Sequence, residues 1–453
     1  MNLSLNLNLI REITDAICSC TNDDLFSQTF EKISTDTRQI DQGAVFLALR
    51  GENFDGHNFL AQGVEAGAIA LIVDENYINK EEFNVPILKV KDTLESYQKI
   101  ANWWRQQQNI PVIGITGSVG KTTTKELISA VLSTQGKVLK TMANFNNEIG
   151  VPKTLLEIEK DHQFAVIEMA MRGRGEIALL TDIVNPTVGI ITNVGTAHIG
   201  RLGSREAIAE AKCELLERMH PEGVAILNAD DDLLMKTAGM VWHGKTVTYG
   251  LENGDIRGQI LENDQIEVNG TIFPLPLPGR HNALNYLSAI ALAQILNIDL
   301  EPLKAGIEVA LPKGRAKRHS LPNDIIILDE TYNAGFESML AGLTLLKQSH
   351  GQRKIAVLGT MKELGDYATS LHRQVGEMVA QLQLDLLLIL ADEPCTKAIA
   401  DGSIGVETEI YTSHTELLNR VKNVMKSGDR ILFKASNSVG LGAIVDQITK
   451  DRL

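Results

Sequence analysis

Short apolar runs alternate along this chain with longer segments in which apolar residues recur at helical spacing. Near the amino terminus, the apolar runs at residues 44–49 and 68–73 predict strands, and residues 58–66 between them predict a helix. The polar run at residues 105–109 interrupts this pattern. We therefore expect a small α/β domain over residues 1–108.

The second unit opens at residues 110–116, where an apolar run predicts a strand buried on both faces. Strands and helices then alternate, with helices predicted at 121–135 and 204–219 and strands at 164–169 and 186–194. Such alternation is typical of a largely parallel sheet with helices on both faces. We expect this middle domain to cover residues 109–313.

Two later segments complete the pattern. Residues 241–278 hold short alternating runs with Asn-Gly and Asn-Asp turns, which predict an antiparallel appendage to the middle domain. A loop rich in basic residues follows at 312–318, and beyond it helical stretches separate strand-like runs at 325–328, 354–358, 384–390 and 430–433. The fold class is therefore α/β with three domains, the third over residues 314–453.

Composition narrows the class of protein. A formal net charge of −14 over 453 residues disfavours a dedicated binder of nucleic acids or anionic membranes. The sequence shows neither a basic leader followed by an apolar block nor an apolar stretch of about 20 residues, so we expect a cytoplasmic protein without membrane insertion. Four scattered cysteines, Cys18, Cys20, Cys213 and Cys395, indicate a reducing compartment, and no second Cys/His pair with zinc spacing accompanies the first two.

The stretch GITGSVGKTTTKELI, residues 114–128, resembles a phosphate-binding loop but breaks its strict spacing, because Ile115 stands where the first glycine belongs. A strand, glycines, a lysine and a helix amino terminus are still present, and together they can cradle phosphate. The alternative is a glycine-rich turn that binds nothing. The candidate nucleotide-binding residues are Gly117, Ser118, Gly120, Lys121, Thr122 and Thr123, of which Thr122 or Thr123 can offer a hydroxyl to Mg²⁺.

Lys212 stands out by its position on a helical wheel. It falls among Ile208, Leu215, Leu216 and Met219, within the apolar face of the predicted helix. A lysine that packs its stem on that face and reaches solvent with its ammonium group is one explanation. A buried lysine with a lowered pKa is the other.

Several motifs occur in a fixed order along the chain: TGSVGKTTTKE from residue 116, TMANFNNEIG from 141, Glu168 at a strand end, TNVGTAH from 192, GS at 203, AK at 211 and LPGRHNALN from 277. Together they resemble the Mur ligases, the ATP-dependent amide-forming enzymes of bacterial cell-wall precursor synthesis. The motifs STDTR (34–38), FDGHNF (54–59) and DETYNA (329–334) are most similar to the members that add D-alanyl-D-alanine to UDP-N-acetylmuramoyl-tripeptide. The chain departs from the family at Gly335-Phe336 and at Ala435.

The resemblance implies a UDP-sugar-binding first domain, a central ATPase domain with a P-loop, and a Rossmann-like third domain, in a protein expected to act as a monomer. It implies ATP and Mg²⁺, and a reaction in which a substrate carboxylate takes the γ-phosphate before an amine displaces it. Such chemistry needs positioning and charge neutralisation more than a protein nucleophile.

The resemblance also implies roles for individual residues. Catalytic roles are expected for Lys121, Glu168, His198 and Lys212 as a CO₂-derived carbamate. The last three, with Thr122, are expected to hold the metal. Asn282, Arg315 and Asp329 are expected to contact adenine, γ-phosphate and nucleotide respectively. Substrate contacts are expected from Thr35, Asp36, Thr37, Arg38, Asn144, Asn146, Asn147, Tyr332 and Asn333.

Most of these residues also have an ordinary structural explanation. Glu168 fits a solvated strand end, His198 a loop histidine with local hydrogen bonds, and Arg315 a solvated linker charge. Asn282 could cap a helix, and Asp36 and the three asparagines between 144 and 147 could form turns.

Three other functions could also use a phosphate-binding loop of this kind. The preceding ligase of the pathway adds a diamino acid, but its Asp-Asn-Pro motif is missing here. A folylpolyglutamate synthetase lacks a UDP-binding domain of this type. A nucleotide-dependent switch would hydrolyse ATP or GTP slowly without needing an acceptor.

Overall fold

The computed structural model describes residues 5–18, 27, 29–51, 54–78 and 82–452. Cys20 lies outside them, so the Cys18–Cys20 pair cannot be examined. Within the described ranges, secondary structure divides into three α/β units, each built on its own sheet. The predicted fold class is confirmed.

The first unit has a five-stranded sheet in the order β2-β7-β6-β5-β4, in which only β2 runs antiparallel. Strands β1 and β3 form a separate antiparallel pair. The strands are β1 (Leu5–Asn6), β2 (Ile17–Cys18), β3 (Thr29–Phe30), β4 (Ile33–Ser34), β5 (Val45–Leu47), β6 (Ala70–Asp74) and β7 (Ile87–Val90), and the helices are α1 (Leu7–Thr14), α2 (Leu60–Glu65) and α3 (Thr93–Gln106).

The middle unit has a nine-stranded sheet in the order β16-β15-β14-β13-β12-β11-β8-β10-β9. Its strands are β8 (Val112–Thr116), β9 (Lys137–Lys140), β10 (His162–Glu168), β11 (Val188–Ile191), β12 (Val224–Asn228), β13 (Lys245–Gly250), β14 (Ile256–Leu261), β15 (Gln265–Val268) and β16 (Thr271–Pro274). Its helices are α4 (Lys121–Leu132), α5 (Gly150–Leu156), α6 (Glu176–Val184), α7 (Ile199–Leu202), α8 (Arg205–Arg218), α9 (Asp232–Val241) and α10 (Arg280–Ile295).

The position of β8 in this sheet determines where a ligand can bind. The chain leaves β8, passes through α4 and adds β9 and β10 on one side, then returns to add β11 and β12 on the other. Loops that leave neighbouring strands in opposite directions open a crevice at the carboxyl ends of the strands. The loop between β8 and α4 lies at that crevice.

The expected antiparallel appendage is only partly correct. Strands β14, β15 and β16 pair antiparallel, as the turn residues predicted. Strand β13, however, lies parallel to both β12 and β14, so the segment extends the main sheet instead of standing apart from it.

The third unit has a six-stranded sheet in the order β17-β18-β22-β19-β20-β21, parallel except for β17. Its strands are β17 (Lys317–Leu321), β18 (Ile325–Glu330), β19 (Arg353–Gly359), β20 (Leu386–Leu390), β21 (Thr408–Tyr411) and β22 (Asp429–Lys434), and its helices are α11 (Phe336–Gln348), α12 (Ala368–Gln381), α13 (Ala398–Gly402), α14 (His414–Val424) and α15 (Leu441–Arg452). Lys317 and Arg318, expected in a loop, open β17 instead.

The units are joined by polar contacts as well as by the chain. Gln98 of α3 donates to the carbonyl of Glu148, and the buried Arg105 donates to the carbonyls of Val184 and Asn185. No helix in the described part of the chain combines the length and the apolar character needed to cross a bilayer.

Candidate active site

A cavity of about 750 Å³ lies between the carboxyl edge of the middle sheet and the third unit. Residues from both units line it, including the β8–α4 loop, the ends of β10, β18 and β22, and the start of α10. Predicted site residues on its wall are Ser118, Gly120, Lys121, Thr122, Thr123, Asn144, Asn146, Glu168, His198, Asn282, Arg315, Tyr332 and Asn333. The structure thus gathers residues that are up to about two hundred positions apart in the sequence.

The β8–α4 loop has the geometry of a phosphate cradle. Gly117 and Gly120 adopt φ of 150° and 84°, and a side chain at Gly117 would overlap the hydroxyl of Thr192. Gly120 immediately precedes α4, so the free N–H groups of that helix face the cavity. The missing glycine at Ile115 does not matter, because Ile115 is buried in β8 and takes no part in the loop.

Lys121 folds back over this loop. Its Nζ donates to the carbonyl oxygens of Gly117 at 2.6 Å and Ser118 at 3.4 Å. The residue is half-buried, and burial lowers the pKa of its ammonium group. An ammonium ion that is bound only to neutral carbonyls is well placed to exchange them for phosphate oxygens.

Thr122 and Glu168 meet at the floor of the cavity. The Thr122 hydroxyl donates to Glu168 Oε2 at 2.9 Å, and the Asn146 amide donates to Oε1 at 2.9 Å. Glu168 is 3% exposed, so the alternative of a solvated strand-end carboxylate does not apply. Two oxygen donors beside a phosphate cradle suit Mg²⁺, which prefers such ligands together with phosphate oxygens.

His198 also lines the cavity and adopts a left-handed conformation, with φ of 66°. Its Nδ1 is 2.6 Å from Oε2 of Glu363, which belongs to the third unit. Burial, followed by the positive charge of Lys121, lowers the pKa of the imidazole, whereas Glu363 opposes this shift. An ordinary loop histidine would bond to a neighbour in sequence, whereas His198 bonds to Glu363 of the third unit.

Lys212 is 1% exposed on α8, so the alternative of an ammonium group in solvent is wrong. Burial and, to a smaller extent, the charge of Lys121 lower its pKa well below the usual value. The side chain forms no hydrogen bond or ion pair within the described part of the chain, and it is not on the cavity wall. It lies close enough for its charge to act on His198.

Asn282 and Arg315 occupy different parts of the cavity wall. The Asn282 amide donates to the carbonyl of Pro278 at 2.8 Å, and α10 has no side-chain cap, so Asn282 does not cap it. The Arg315 guanidinium lies 4.1 Å from the ring centroid of Tyr332. Its buried Nε has no hydrogen-bond partner among the residues that the structure describes, which is unusual for a guanidinium and leaves one donor available to a ligand.

Three predicted residues face away from the cavity. Asp329 is 2% exposed and accepts hydrogen bonds from the backbone and hydroxyl of Thr331, so it supports the wall from behind, and the adjacent Glu330 lines the cavity instead. The Asn147 side chain accepts from Gly150 N and closes a turn. Gly117 contributes its carbonyl to Lys121 but no surface.

The predicted uridine loop belongs to the first unit. Asp36 accepts from the backbone of Arg38 at 3.0 Å and forms an ion pair with its guanidinium at 2.7 Å, as a turn-forming aspartate does. The hydrogen bond from Arg38 holds the pKa of Asp36 at about 2. Thr35 and Thr37 lie in the same turn, at the carboxyl end of β4.

The cavity wall also includes charged residues that were not predicted as site residues, among them Lys362, Glu363, Glu337 and Lys434. Lys362 and Glu363 follow β19, Glu337 opens α11, and Lys434 ends β22 at 3% exposure. Glu337 accepts from the backbone N–H of Thr196 at 2.7 Å, across the two units. A signal was present for Lys434, a lysine in an otherwise apolar run, and for Lys362 and Glu363, which follow a buried strand as Glu168 does.

Comparison with known proteins identifies the family. The models of the Mur ligase family catalytic domain, the Mur ligase middle domain and the Mur ligase glutamate ligase domain match residues 29–105, 115–293 and 314–437. The UDP-N-acetylmuramoyl-tripeptide--D-alanyl-D-alanine ligase of Synechocystis sp. is 56% identical over 99% of this chain and 98% of its own length. The chain belongs to the Mur ligase family.

Solved structures of other Mur ligases agree with this assignment. A crystal structure of MurF from Acinetobacter baumannii has a TM-score of 0.88 at 32% identity and covers 99% of both chains. MurF from Thermotoga maritima, solved in complex with ADP, has a TM-score of 0.82 at 27% identity and covers 93% of this chain and 97% of that one. This Mur ligase therefore shares the three-domain architecture of the family over its length.

Proposed function

We propose that this Mur ligase joins D-alanyl-D-alanine to UDP-N-acetylmuramoyl-tripeptide, with ATP converted to ADP and phosphate. The full-length similarity to ligases of that name, at 56% identity for the Synechocystis protein, carries the proposal. The cavity supports it, because a phosphate cradle from the middle domain faces polar groups of the third domain across one enclosed space.

The reaction has two steps. A terminal carboxylate oxygen of the tripeptide attacks the γ-phosphorus of ATP, and the bond to the bridging oxygen breaks to release ADP. The amine nitrogen of the dipeptide then attacks the acyl carbon, and the tetrahedral intermediate expels phosphate while the nitrogen loses a proton. The protein must bring together the tripeptide carboxylate, the phosphates of ATP and the dipeptide, which carries a carboxylate of its own. It must also exclude water from the acyl phosphate.

The cationic side chains are suited to that task. We assign Lys121 to the outer phosphates, because its Nζ is held at the mouth of the cradle by neutral carbonyls only. Arg315, with its free buried donor, is assigned to the γ-phosphate from the opposite side. Asn282 is assigned to the adenine, and Tyr332 and Asn333 to the amine substrate, since all three line the cavity.

The oxygen donors fit a magnesium ion. Thr122 and Glu168 would hold it, together with His198, which lines the same cavity. Bound there, Mg²⁺ would neutralise phosphate charge as the carboxylate approaches. Asn146 and Thr122 each donate a hydrogen bond to the Glu168 carboxylate and so fix its position.

We assign to Lys212 a carbamate formed with CO₂. Carbamate formation requires a neutral amine, and burial favours the neutral form of Lys212. The modified side chain would place a negative charge near Lys121, whose positive charge now acts on it.

The domain boundaries proposed from the sequence, 1–108, 109–313 and 314–453, fit the three sheets, since α3 ends at Gln106, β8 begins at Val112 and β17 begins at Lys317. Thr35, Asp36, Thr37 and Arg38 are assigned to the uridine nucleotide, and Asn144, Asn146 and Asn147 to the sugar-peptide. We place the enzyme in the bacterial cytoplasm, where its nucleotide substrates are made, and all the assigned residues come from one chain.

The test supplies ATP, Mg²⁺ and a UDP-muramoyl-tripeptide, with D-alanyl-D-alanine, L-alanyl-L-alanine, lysine or diaminopimelate as the sole amine. A pentapeptide product is expected only with the D,D dipeptide at low concentration. Transfer of a free diamino acid to a UDP-muramoyl-dipeptide would instead place the enzyme one step earlier. Phosphate release without any acceptor would indicate a nucleotide-dependent switch.

A further inference from the structure

Helix α5 carries a lysine that none of the assignments above uses. Lys153 lies in the last turn of this helix, half-buried, with its Nζ 4.4 Å from the ring centroid of Phe145. Phe145 is in the loop that also carries Asn144 and Asn146. The loop folds tightly onto the helix, because any side chain at Gly150 would overlap the Phe145 backbone.

The position of this helix is fixed at the boundary between the first and middle domains. Gln98 of α3 donates to the carbonyl of Glu148 at 3.1 Å, just before the helix begins. The side chain and carbonyl of Asn147 accept from Gly150 and Val151, which ties the loop to the helix. Lys153 is therefore held beside the first domain and outside the ATP cavity.

Lys153 differs from the cations around it. Three cations that flank β4 and β5 each form an ion pair with a carboxylate: Lys32 with Asp41, Arg38 with Asp36, and Arg50 with Asp55. Lys153 forms no ion pair with any residue that the structure describes, and an aromatic ring positions it instead. After Arg38, the charge of Lys153 makes a smaller contribution to the low pKa of Asp36, and it also opposes the rise that burial causes in the pKa of Glu157.

We propose that Lys153 binds the diphosphate of the UDP-linked substrate. The proposal rests on the proposed function, which places uridine at the Thr35–Arg38 turn and the reacting carboxylate near Glu168. The diphosphate follows the uridine in the substrate, so it must pass the junction between that turn and the Asn144–Asn146 loop. Lys153 lies near this junction and forms no ion pair among the described residues, although its charge also acts on Glu157, and the protein as a whole has a net charge of −14.

The experiment compares Lys153→Met and Lys153→Arg with Lys236→Met, an exposed lysine on α9 whose loss changes the net charge equally. For Lys153→Met we expect the KM for UDP-muramoyl-tripeptide and the inhibition constant of UDP to rise together, about 10-fold. The inhibition constant of uridine, the KM for ATP and for D-alanyl-D-alanine, and kcat should stay within twofold. Lys153→Arg should recover most of the affinity, and Lys236→Met should match the wild type.

Two results would overturn the proposal. One is an unchanged KM for the UDP substrate. The other is a raised KM with an unchanged inhibition constant for UDP, which would assign Lys153 to a peptide carboxylate. Calorimetric binding of UDP and uridine to wild type and Lys153→Met tests the contact without ligase activity. An inactive wild type that still shows this difference in UDP binding would count against the proposed reaction but not against the contact.

Discussion

The hydroxyl of Thr122, in the first turn of α4, donates a 2.9 Å hydrogen bond to the carboxylate of Glu168 at the end of β10. The helix that carries Thr122 follows β8, and Glu168 ends β10, the strand that pairs with β8 at the crevice. The bond brings together a hydroxyl and a carboxylate oxygen beside the phosphate cradle, which is the donor set that the proposed Mg²⁺ requires.

We therefore predict that Glu168→Gln lowers kcat by about 100-fold or more and raises the Mg²⁺ concentration needed for half-maximal activity. The amide keeps the size of the side chain and can still accept from Thr122, so the melting temperature should change little. A Mg²⁺ titration of ligase activity measures the effect. Glu217→Gln, at an exposed position of α8, is the matched control, and an unaltered Mg²⁺ requirement in Glu168→Gln would remove the metal assignment.

Lys121→Ala should abolish ATP turnover while the protein remains folded. Lys121 is half-buried, and its ammonium group donates to the carbonyls of Gly117 and Ser118. Loss of those two hydrogen bonds should affect the loop alone. Loss of the cation leaves the phosphate charge uncompensated, which should lower the rate of ATP turnover by about 1,000-fold or more. Phosphate release and thermal unfolding measured together distinguish the two effects, and normal turnover would refute the phosphate assignment.

The sequence predicted the sheets well wherever strands are buried on both faces. Strand β20, residues 112–115 of β8 and residues 164–167 of β10 are continuous apolar runs, which are typical of buried strands. The pairing of β13 was predicted wrongly, because the turns near it indicate only local hairpins. Strand β13 instead extends the main sheet by pairing with β12. Local turn chemistry predicts a hairpin but not the neighbour of its first strand.

For the site, the limit of prediction was side-chain direction. Asp329 and Glu330 are adjacent at the end of β18, and neighbouring residues of a strand point to opposite faces. Only the three-dimensional arrangement shows that Glu330 faces the cavity and Asp329 faces Thr331. The sequence also does not show which residues of different domains come into contact. Glu337, which accepts a hydrogen bond from Thr196, and Glu363, which contacts His198, were therefore not predicted.

Lys212→Ala should reduce ligase activity at least 100-fold, since the proposed carbamate supplies an anionic contact in the site. Short-chain carboxylates such as acetate should restore part of the activity by occupying the space and replacing the charge. Exposed Lys236→Ala in the same buffers controls for effects of the salts. Full activity of Lys212→Ala would exclude a carbamate, and loss without rescue would leave packing or direct charge as its role.

The pH dependence of stability provides a separate test of the buried amine. In CO₂-free buffer the pKa of Lys212 is lower in the folded than in the unfolded protein, because burial disfavours the ammonium form. The unfolded state then binds more protons, so this residue's cost to stability decreases as the pH rises toward its unfolded pKa of about 10.4. Lys212→Met should be more stable than wild type at pH 7, by a margin that shrinks by pH 10 in denaturant titrations. A margin independent of pH would mean that the amine is not buried.

Gly117→Ala should damage the phosphate loop far more than Gly175→Ala damages its own turn. Both glycines have positive φ, 150° and 82°, so alanine is strained at either position, at a cost of about 1–2 kcal/mol. At Gly175 nothing lies within 4 Å of the added methyl group, so strain is the whole effect. At Gly117 the methyl group would overlap Thr192, whose hydroxyl donates to the Val119 carbonyl and thereby fixes the loop.

The loop must therefore shift in Gly117→Ala, and the N–H groups that should face phosphate move with it. We expect at least a 100-fold loss of kcat/KM for ATP in this variant, and less than a threefold loss in Gly175→Ala despite a similar or smaller fall in melting temperature. Steady-state kinetics with varied ATP, alongside thermal unfolding of both variants, measure the difference. Equal losses of activity would show that backbone strain alone, and not the contact with Thr192, shapes the cradle.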